Sequence, residues 1–356
     1  MDANAKGGTR MSGGMAGTTQ MNPGRMAPID DDPAKVLTAI DTAGARIARA
    51  RAAIRRVIFG QDDVIDQTLI TLLSGGHVLL VGVPGLGKSR LVETLGVVMG
   101  LAAKRIQFTP DLMPADIVGS EVLDEAEGKR AFRFVPGPVF CQLLMADEIN
   151  RASPRTQSAL LQAMQEQRVA IGGVEYPLPA PFHVLATQNP LEQEGTYPLP
   201  EAQLDRFLME IDVTYPDRDA ERAMLLATTG AYDEKPAQAL SAQDLMTAQA
   251  LVRRLPLGDT VVEAILSLVR GCRPETPGDE IVRRQVAWGP GPRAAQALML
   301  AARARALMDG RLSPSIDDVA ALARPVLRHR MALNFAARAD GAVLADVIDR
   351  MVGKIG

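Results

Sequence analysis

Two cysteines in 356 residues, Cys141 and Cys272, are too few and too far apart for a disulfide framework or a Cys-based metal site. They read as buried thiols of a reducing compartment, with the cytoplasm as the expected location. Aromatic residues make up only 4% of the chain, and 39 Lys+Arg nearly balance 42 Asp+Glu. A nucleic-acid motor needs basic tracks and stacking platforms, so this balance weakens that reading; nothing in the overall charge argues for an anionic membrane surface either, and a local basic surface stays open. No stretch approaches the roughly 18 consecutive apolar residues of a membrane span, and the first residues lack the apolar core of a signal peptide, so neither a span nor export is expected. The three histidines, His77, His183 and His329, are scattered and offer no metal cluster or competing base, which leaves them packing or surface roles.

What is present is a chain that is 47% hydrophobic, enough for one large domain and a second, smaller one. Residues 1–32 are Gly, Met, Thr and Asn with almost no branched apolar side chains, too little to offset chain entropy, and read as a disordered tail. Helical periodicity follows from Pro33 to about Ile58. Short apolar runs then recur between helical stretches at His77–Gly82, Lys104–Thr109, Cys141–Ala146, Phe182–Thr187 and Leu208–Val213. Strands alternating with helices predict a parallel, helix-covered sheet, an α/β nucleotide-binding layout over residues 33–216. From Asp217 onward only amphipathic helical stretches remain, so residues 217–356 are expected to form an all-helical second domain. Pro216 breaks the last strand's exit, and Asp217 can cap the next helix.

Between the first strand and the helix after it stands G-x-x-x-x-G-K-S, Gly82 to Ser89, in the strand-turn-helix context that a phosphate-binding loop requires. Its glycines, Gly82, Gly85 and Gly87, let backbone N–H groups turn inward around phosphates. The helix N-terminus adds partial positive charge, Lys88 reaches the outer phosphates, and the Ser89 hydroxyl can serve Mg²⁺. A second strand, CQLLMA, ends in Asp147-Glu148. At that point of a P-loop protein the first acid holds Mg²⁺ and the second can polarise the attacking water. A further strand, HVLATQNP, ends at Asn189, whose amide can hold that water in line without titrating, or can simply form an Asn-Pro turn. Nothing resembles the guanine-reading Asn-Lys-x-Asp, which favours adenine, hence ATP.

The succession of the P-loop, LLMADEIN, ATQNP, LPEAQLDRF and WGPGPRAAQAL resembles the AAA+ ATPases. The phrases FGQDDVIDQTLITLLSGGHVLLVGVPGLGKS, DEINRASPRTQSALLQAMQE and LRHRMALNF are similar to the MoxR branch in detail, and the resemblance covers roughly residues 35–350. It implies an AAA+ sheet domain with a helical lid, Gly82–Ser89 as Walker A with Pro84 and Arg90 beside the nucleotide, Asp147 and Glu148 as Walker B, and Asn189 as sensor one. Arg206 would be the arginine finger and Arg293 sensor two, while Gly60-Gln61 would pack the adenine. It further implies a homo-oligomeric ring, taken as a hexamer, that remodels or matures protein clients with a partner carrying a von Willebrand A domain. The alternatives are a nucleotide-gated assembly scaffold and a chelatase-type or nucleic-acid motor subunit.

Read from the residues alone, Arg206 follows EAQLD and precedes the last strand, which puts it on the sheet's rim rather than in its own chain's site. Arg293 opens an amphipathic helix, where the helix dipole disfavours a cation, so either a bound anion such as γ-phosphate or a solvated helix start would explain it. Two segments exceed what the core needs. Pro110–Val139 contains the strand-like RAFRFV, and VAIGGVEYPL alternates around Gly172-Gly173 as a hairpin. In the ring that the resemblance implies both are candidate client contacts, with plain surface hairpins as the alternative.

Overall fold

Residues 32–126, 129–192, 194–230, 235–276 and 278–355 are described by a computed structural model. Of the stretch read as a tail, only Asp32 falls among them. Its carboxylate accepts the Ala34 N–H and caps α1 (Pro33–Arg55), with Pro33 in the first turn, where its missing N–H costs nothing.

Five strands form the central sheet: β1 (Val78–Val81), β2 (Ala103–Gln107), β5 (Leu143–Asp147), β8 (His183–Gln188) and β9 (Met209–Asp212), in the order β2-β5-β8-β1-β9 and all parallel. Period-2 alternation sends their side chains into two cores. Leu80, Leu143, Met145, Leu185, Met209 and Ile211 face one side. Leu79, Leu144, Ala146, Val184 and Ala186 face the other. Helices α2 (Asp62–Leu73) and α3 (Lys88–Val98) cover the first face with α1, and α5 (Pro154–Glu166) covers the second.

The segment between β2 and β5 holds a short helix, α4 (Pro114–Val118), and a hairpin of β3 (Gly119–Ala126) with β4 (Lys129–Pro136). RAFRFV is therefore a strand as expected, with a partner strand before it. The second expected hairpin is β6 (Arg168–Ile171) paired with β7 (Val174–Pro177), and Gly172 and Gly173 take the positive φ of its two-residue turn. The two hairpins touch. Phe134 stacks on Tyr176 with ring centroids 4.1 Å apart.

After the short α6 (Glu201–Leu204) and β9, Asp217 caps α7 (Arg218–Thr228) by accepting the Ala220 N–H at 2.8 Å. The lid then comprises α8 (Ala242–Arg254), α9 (Asp259–Gly271), α10 (Glu280–Gln285), α11 (Pro292–Met308), α12 (Ile316–Leu327), α13 (Phe335–Ala339) and α14 (Leu344–Val352). One correction applies to the all-helical expectation: β10 (Val286–Trp288) pairs antiparallel with β11 (Ala332–Leu333). Strands of three and two residues, 44 positions apart, are too short to print an alternation in the sequence. The alanines of α11 let helices approach closely, and α1 and α2 pack against it as α12 does. One buried core consequently runs without interruption from Ile47 and Leu69 through Leu80 to Leu298 and Val326.

All three histidines are buried. His77 Nδ1 accepts the Val184 N–H at 3.0 Å, and His183 Nδ1 donates to Gly76 O at 2.8 Å. Burial pushes His77 down to about 3, helped by the neighbouring His183, and pushes His183 down to about 4.

Candidate active site

The turn after β1 has the shape its glycines allow. A Cβ on Gly82 would lie 2.5 Å from Val213 O, so only glycine fits where the loop leaves the sheet. Gly85 and Gly87 adopt φ of +86° and +74°, and a Cβ on either would meet open space. This left-handed backbone turns successive N–H groups toward one concavity, against which the N-terminus of α3 opens at Lys88. Lys88 Nζ donates to the carbonyls of Gly82 and Val83, the latter at 2.9 Å, and so spans the loop. Burial lowers its pKa, while the negative charges of Asp147 and Glu148 oppose that shift.

A cavity of about 230 Å³ joins Pro84–Ser89 to Asp147, Glu148, Thr187 and Asn189. The parallel ladder delivers the acids, because β8 lies beside β1 and β5 beside β8, and all three end here. Asp147 Oδ1 accepts the Thr187 hydroxyl at 2.5 Å, and its Oδ2 pairs with Arg105 of β2 at 2.5 Å. Glu148 stands at φ +55°, a conformation costly for a side chain with a Cβ, and its N–H donates to Thr187 Oγ1 at 2.8 Å. The Glu148 carboxylate accepts from Gln107 Nε2 at 2.7 Å and from Arg151 Nη1 at 3.0 Å. Asn189 is buried in the cavity wall, and its Oδ1 accepts the Leu191 N–H at 3.1 Å, so the turn-forming role is real and leaves the amide NH₂ as the available donor. Thr187, Gln107 and Arg151 were not singled out from sequence. Thr187 stood two residues before Asn189 on the same strand end, where its signal was legible. Gln107 and Arg151 join Glu148 only through folding.

A second cavity of about 260 Å³ shares the wall Pro84–Gly87 and is completed by Ile58, Gln61, Arg90, Tyr215 and Met224. Gln61 Nε2 donates to Leu86 O at 2.9 Å and so fastens this wall to the P-loop. Gly60 does not line the cavity but packs behind it: a Cβ there would lie 2.4 Å from Ala220 Cβ and 2.8 Å from Pro216 Cβ. Adjoining cavities, one polar with Lys88 beside two carboxylates and the other largely apolar, suit a nucleoside triphosphate whose phosphates lie in the first. Ser89 and Asp147, a hydroxyl and a carboxylate on one cavity, are the hard oxygen donors that Mg²⁺ takes.

Arg206 and Arg293 lie elsewhere. Together with Asp205 and Arg330 they line a cavity of about 280 Å³ that also includes Gly75, Gly76 and His77. Those three residues precede β1, whereas the P-loop follows it, and a four-residue strand spans about 13 Å at ~3.3 Å per residue. The two arginines thus stand at the opposite end of β1 from their own chain's phosphate cradle. The structure does not bring Arg293 to that cradle. Its Nη1 approaches Asp205 Oδ2 at 3.5 Å instead.

A parallel sheet with a glycine cradle before a helix and a Thr-bridged acid pair at the next strand ends defines a P-loop nucleotide-binding protein. Two family models match: the ATPase family associated with various cellular activities (AAA) over residues 77–209, and the AAA lid domain over residues 278–351. The chain is 44% identical to Chaperone MoxR1 of Mycobacterium tuberculosis over 307 residues, covering 86% of this chain and 81% of that protein. It is 33% identical to Protein MoxR of Paracoccus denitrificans, over 82% of this chain and 89% of the relative. The crystal structure of a candidate ATPase from Cytophaga hutchinsonii superposes with a TM-score of 0.83 at 37% identity, covering 90% of this chain and 97% of that one. The chain belongs to the AAA ATPases, and within them to the MoxR family. Among the described residues no helix is long and apolar enough to cross a membrane, and no group of three or more His, Cys, Asp or Glu could hold a metal ion.

Proposed function

We propose that the protein hydrolyses ATP in a homo-oligomeric ring, taken as a hexamer, and uses the energy to remodel or mature a client protein in the cytoplasm. A partner with a von Willebrand A domain is part of this reading, and the chaperone name of a 44% identical relative supports its direction. The observation that carries it is the separation of the two halves of the machinery. Lys88, Asp147, Glu148 and Asn189 share one cavity, while Arg206 and Arg293 face out of another at the far end of β1. A second chain is needed to bring the two halves together.

In this reading the backbone cradle and Lys88 bind the phosphates, and the Glu148 carboxylate accepts the proton of the attacking water, which Asn189 aligns. Ser89 and Asp147 would hold Mg²⁺, which when bound neutralises charge developing on the phosphates. Arg206 and Arg293 of one subunit meet the γ-phosphate held by the next, and such a finger contributes about 10³–10⁵ in rate.

Mixed rings test the arrangement. Lys88→Ala chains keep Arg206 but cannot hold ATP, and Arg206→Ala chains hold ATP but lack the finger. Co-assembly should restore part of the turnover that neither parent shows. Inactive mixtures, with subunit exchange confirmed by native mass measurement, would remove the trans assignment. The scaffold reading draws on a different contact, the grip of Gln107 and Arg151 on Glu148, which restrains the base. Turnover that stays minimal whatever partner is added would favour it.

A further inference from the structure

The turn that carries Arg206 is bonded to the lid. Arg330, from the 3-10 turn Arg328–Arg330 that follows α12, is only 3% exposed and spends all five of its N–H donors. Nε donates to Asp205 Oδ1 at 2.7 Å. Nη1 donates to Leu208 O at 3.0 Å and Val326 O at 2.6 Å, and Nη2 to Asp205 O at 3.3 Å and Phe207 O at 2.6 Å. The residues on both sides of Arg206 are thus gripped by one buried guanidinium, while the Arg206 side chain itself makes no hydrogen bond or ion pair among the described residues.

Other lid groups join the same segment. His329 Nε2 donates to Phe207 O at 3.1 Å, and Trp288 Nε1 donates to Glu201 Oε1 at 3.0 Å at the start of α6. Asp205 turns its second oxygen toward Arg293, so a single carboxylate lies between the buried Arg330 and Arg293.

We propose that Arg330 is the positioning residue of the finger: it welds the Asp205–Leu208 turn to the lid, so that Arg206 and Arg293 move as one body and reach the neighbouring subunit's phosphates in register. The inference rests on the trans reading given above. Its physical basis is that a planar guanidinium with five directed donors can fix four acceptors of one turn and a helix carbonyl together, which a lysine's point charge with three donors cannot. A displacement of about 1 Å at a positioned group costs on the order of 10²-fold in rate.

The test places the substitution on a chosen side of the interface. Arg206→Ala chains, which only hold ATP, are mixed with finger donors that are either Lys88→Ala or Lys88→Ala/Arg330→Lys. The Arg330-substituted donor should restore kcat at least ten-fold less well, with the KM for ATP unchanged. The reciprocal mixture, with Arg330→Lys in the ATP-holding Arg206→Ala chain and an otherwise Lys88→Ala donor, should be rescued normally. Side-specific loss of this kind is not produced by general destabilisation. Asp205→Asn in the donor serves as the second variant, since it removes one acceptor's charge while leaving Arg330 in place, and should show the same donor-side loss. Equal rescue by substituted and unsubstituted donors, or equal loss on both sides, overturns the positioning role alone. Failure of the Arg330-intact donor to rescue at all overturns the trans reading and this inference with it.

Discussion

The Thr187 hydroxyl donates to Asp147 Oδ1 at 2.5 Å while its oxygen accepts the Glu148 N–H at 2.8 Å, so one β8 side chain ties the last residue of β5 to the backbone of the acid that follows it. Thr187→Val keeps the shape and removes both bonds, leaving the buried Asp147 short of a donor. Loss of a group that orients a metal-holding carboxylate typically costs 10–100-fold, so kcat should fall by about that factor. Wild-type steady-state turnover in Thr187→Val would show that the bridge is idle.

Lys88→Ala should abolish measurable ATP binding, because the backbone cradle alone does not replace a charge on the outer phosphates. Calorimetry is the check, and near-normal affinity would refute the phosphate assignment.

Glu148→Gln should bind ATP and Mg²⁺ normally but turn over about 10²–10⁴-fold more slowly, since an amide cannot take the water's proton. Single-turnover kinetics separate this from a binding defect. The same ATP-loaded variant is the natural bait for identifying the client.

Replacing Ile171–Tyr176 with a Gly-Ser link should leave basal hydrolysis nearly intact and lose stimulation by the client. That change also removes the Tyr176 ring from Phe134, a stacked pair of the kind that contributes about 0.5–1.5 kcal/mol beyond burial. The milder Tyr176→Ala should therefore loosen the β3–β4 hairpin, detectable as faster amide exchange there. Full partner stimulation in the loop-replaced protein would make the hairpin purely structural.

Stability should fall with acid in two stages. His77 and His183 have folded pKa values pushed below the ordinary 6.5, to about 3 and about 4, so the unfolded chain takes up their protons first. Their contribution is whole above about pH 6.5 and declines by roughly 1.4 kcal/mol per pH unit per histidine below it. Asp279 acts lower. It bonds Lys354 and Arg350 and caps α10, and these contacts hold its carboxyl well below the usual carboxylate range. Its contribution is complete above about pH 4 and is lost as pH falls further toward its depressed value. Melting temperature followed from pH 7.5 to 3 is the measurement, and a flat curve between pH 6.5 and 5 would contradict the histidine assignment.

Much of this site was legible because its determinants are local. Gly82–Ser89 carries its own spacing, and β1, β5 and β8 are largely apolar runs bounded by polar or Gly/Pro residues, whereas β2 (AKRIQ) and β9 (MEID) carry a weaker signal. Asp147, Glu148 and Asn189 stand at strand ends that a parallel sheet must bring to one edge. What escaped is non-local. Arg330 meets Asp205 across 125 positions, and LRHRMALNF carries a family resemblance but no role for Arg330. Gln107 and Arg151 each look like surface residues until the β2–β5 ladder and the turn after β5 set them against Glu148. Arg206 was expected on the rim, but its company with Arg293 at the start of β1 depends on how the lid seats, which no periodicity encodes.

The core that runs unbroken from Ile47 and Leu69 to Leu298 and Val326 limits how the helical part can move against the sheet. A lid joined only by a strap could swing open on a hinge, whereas helices that share an interior with the sheet can only slide by small increments over interdigitated side chains. In the ring proposed above, each chain would therefore contribute short-range shear rather than a wide opening. A chain so built should also melt as a single cooperative unit, with amides of α11 exchanging no faster than those of β1.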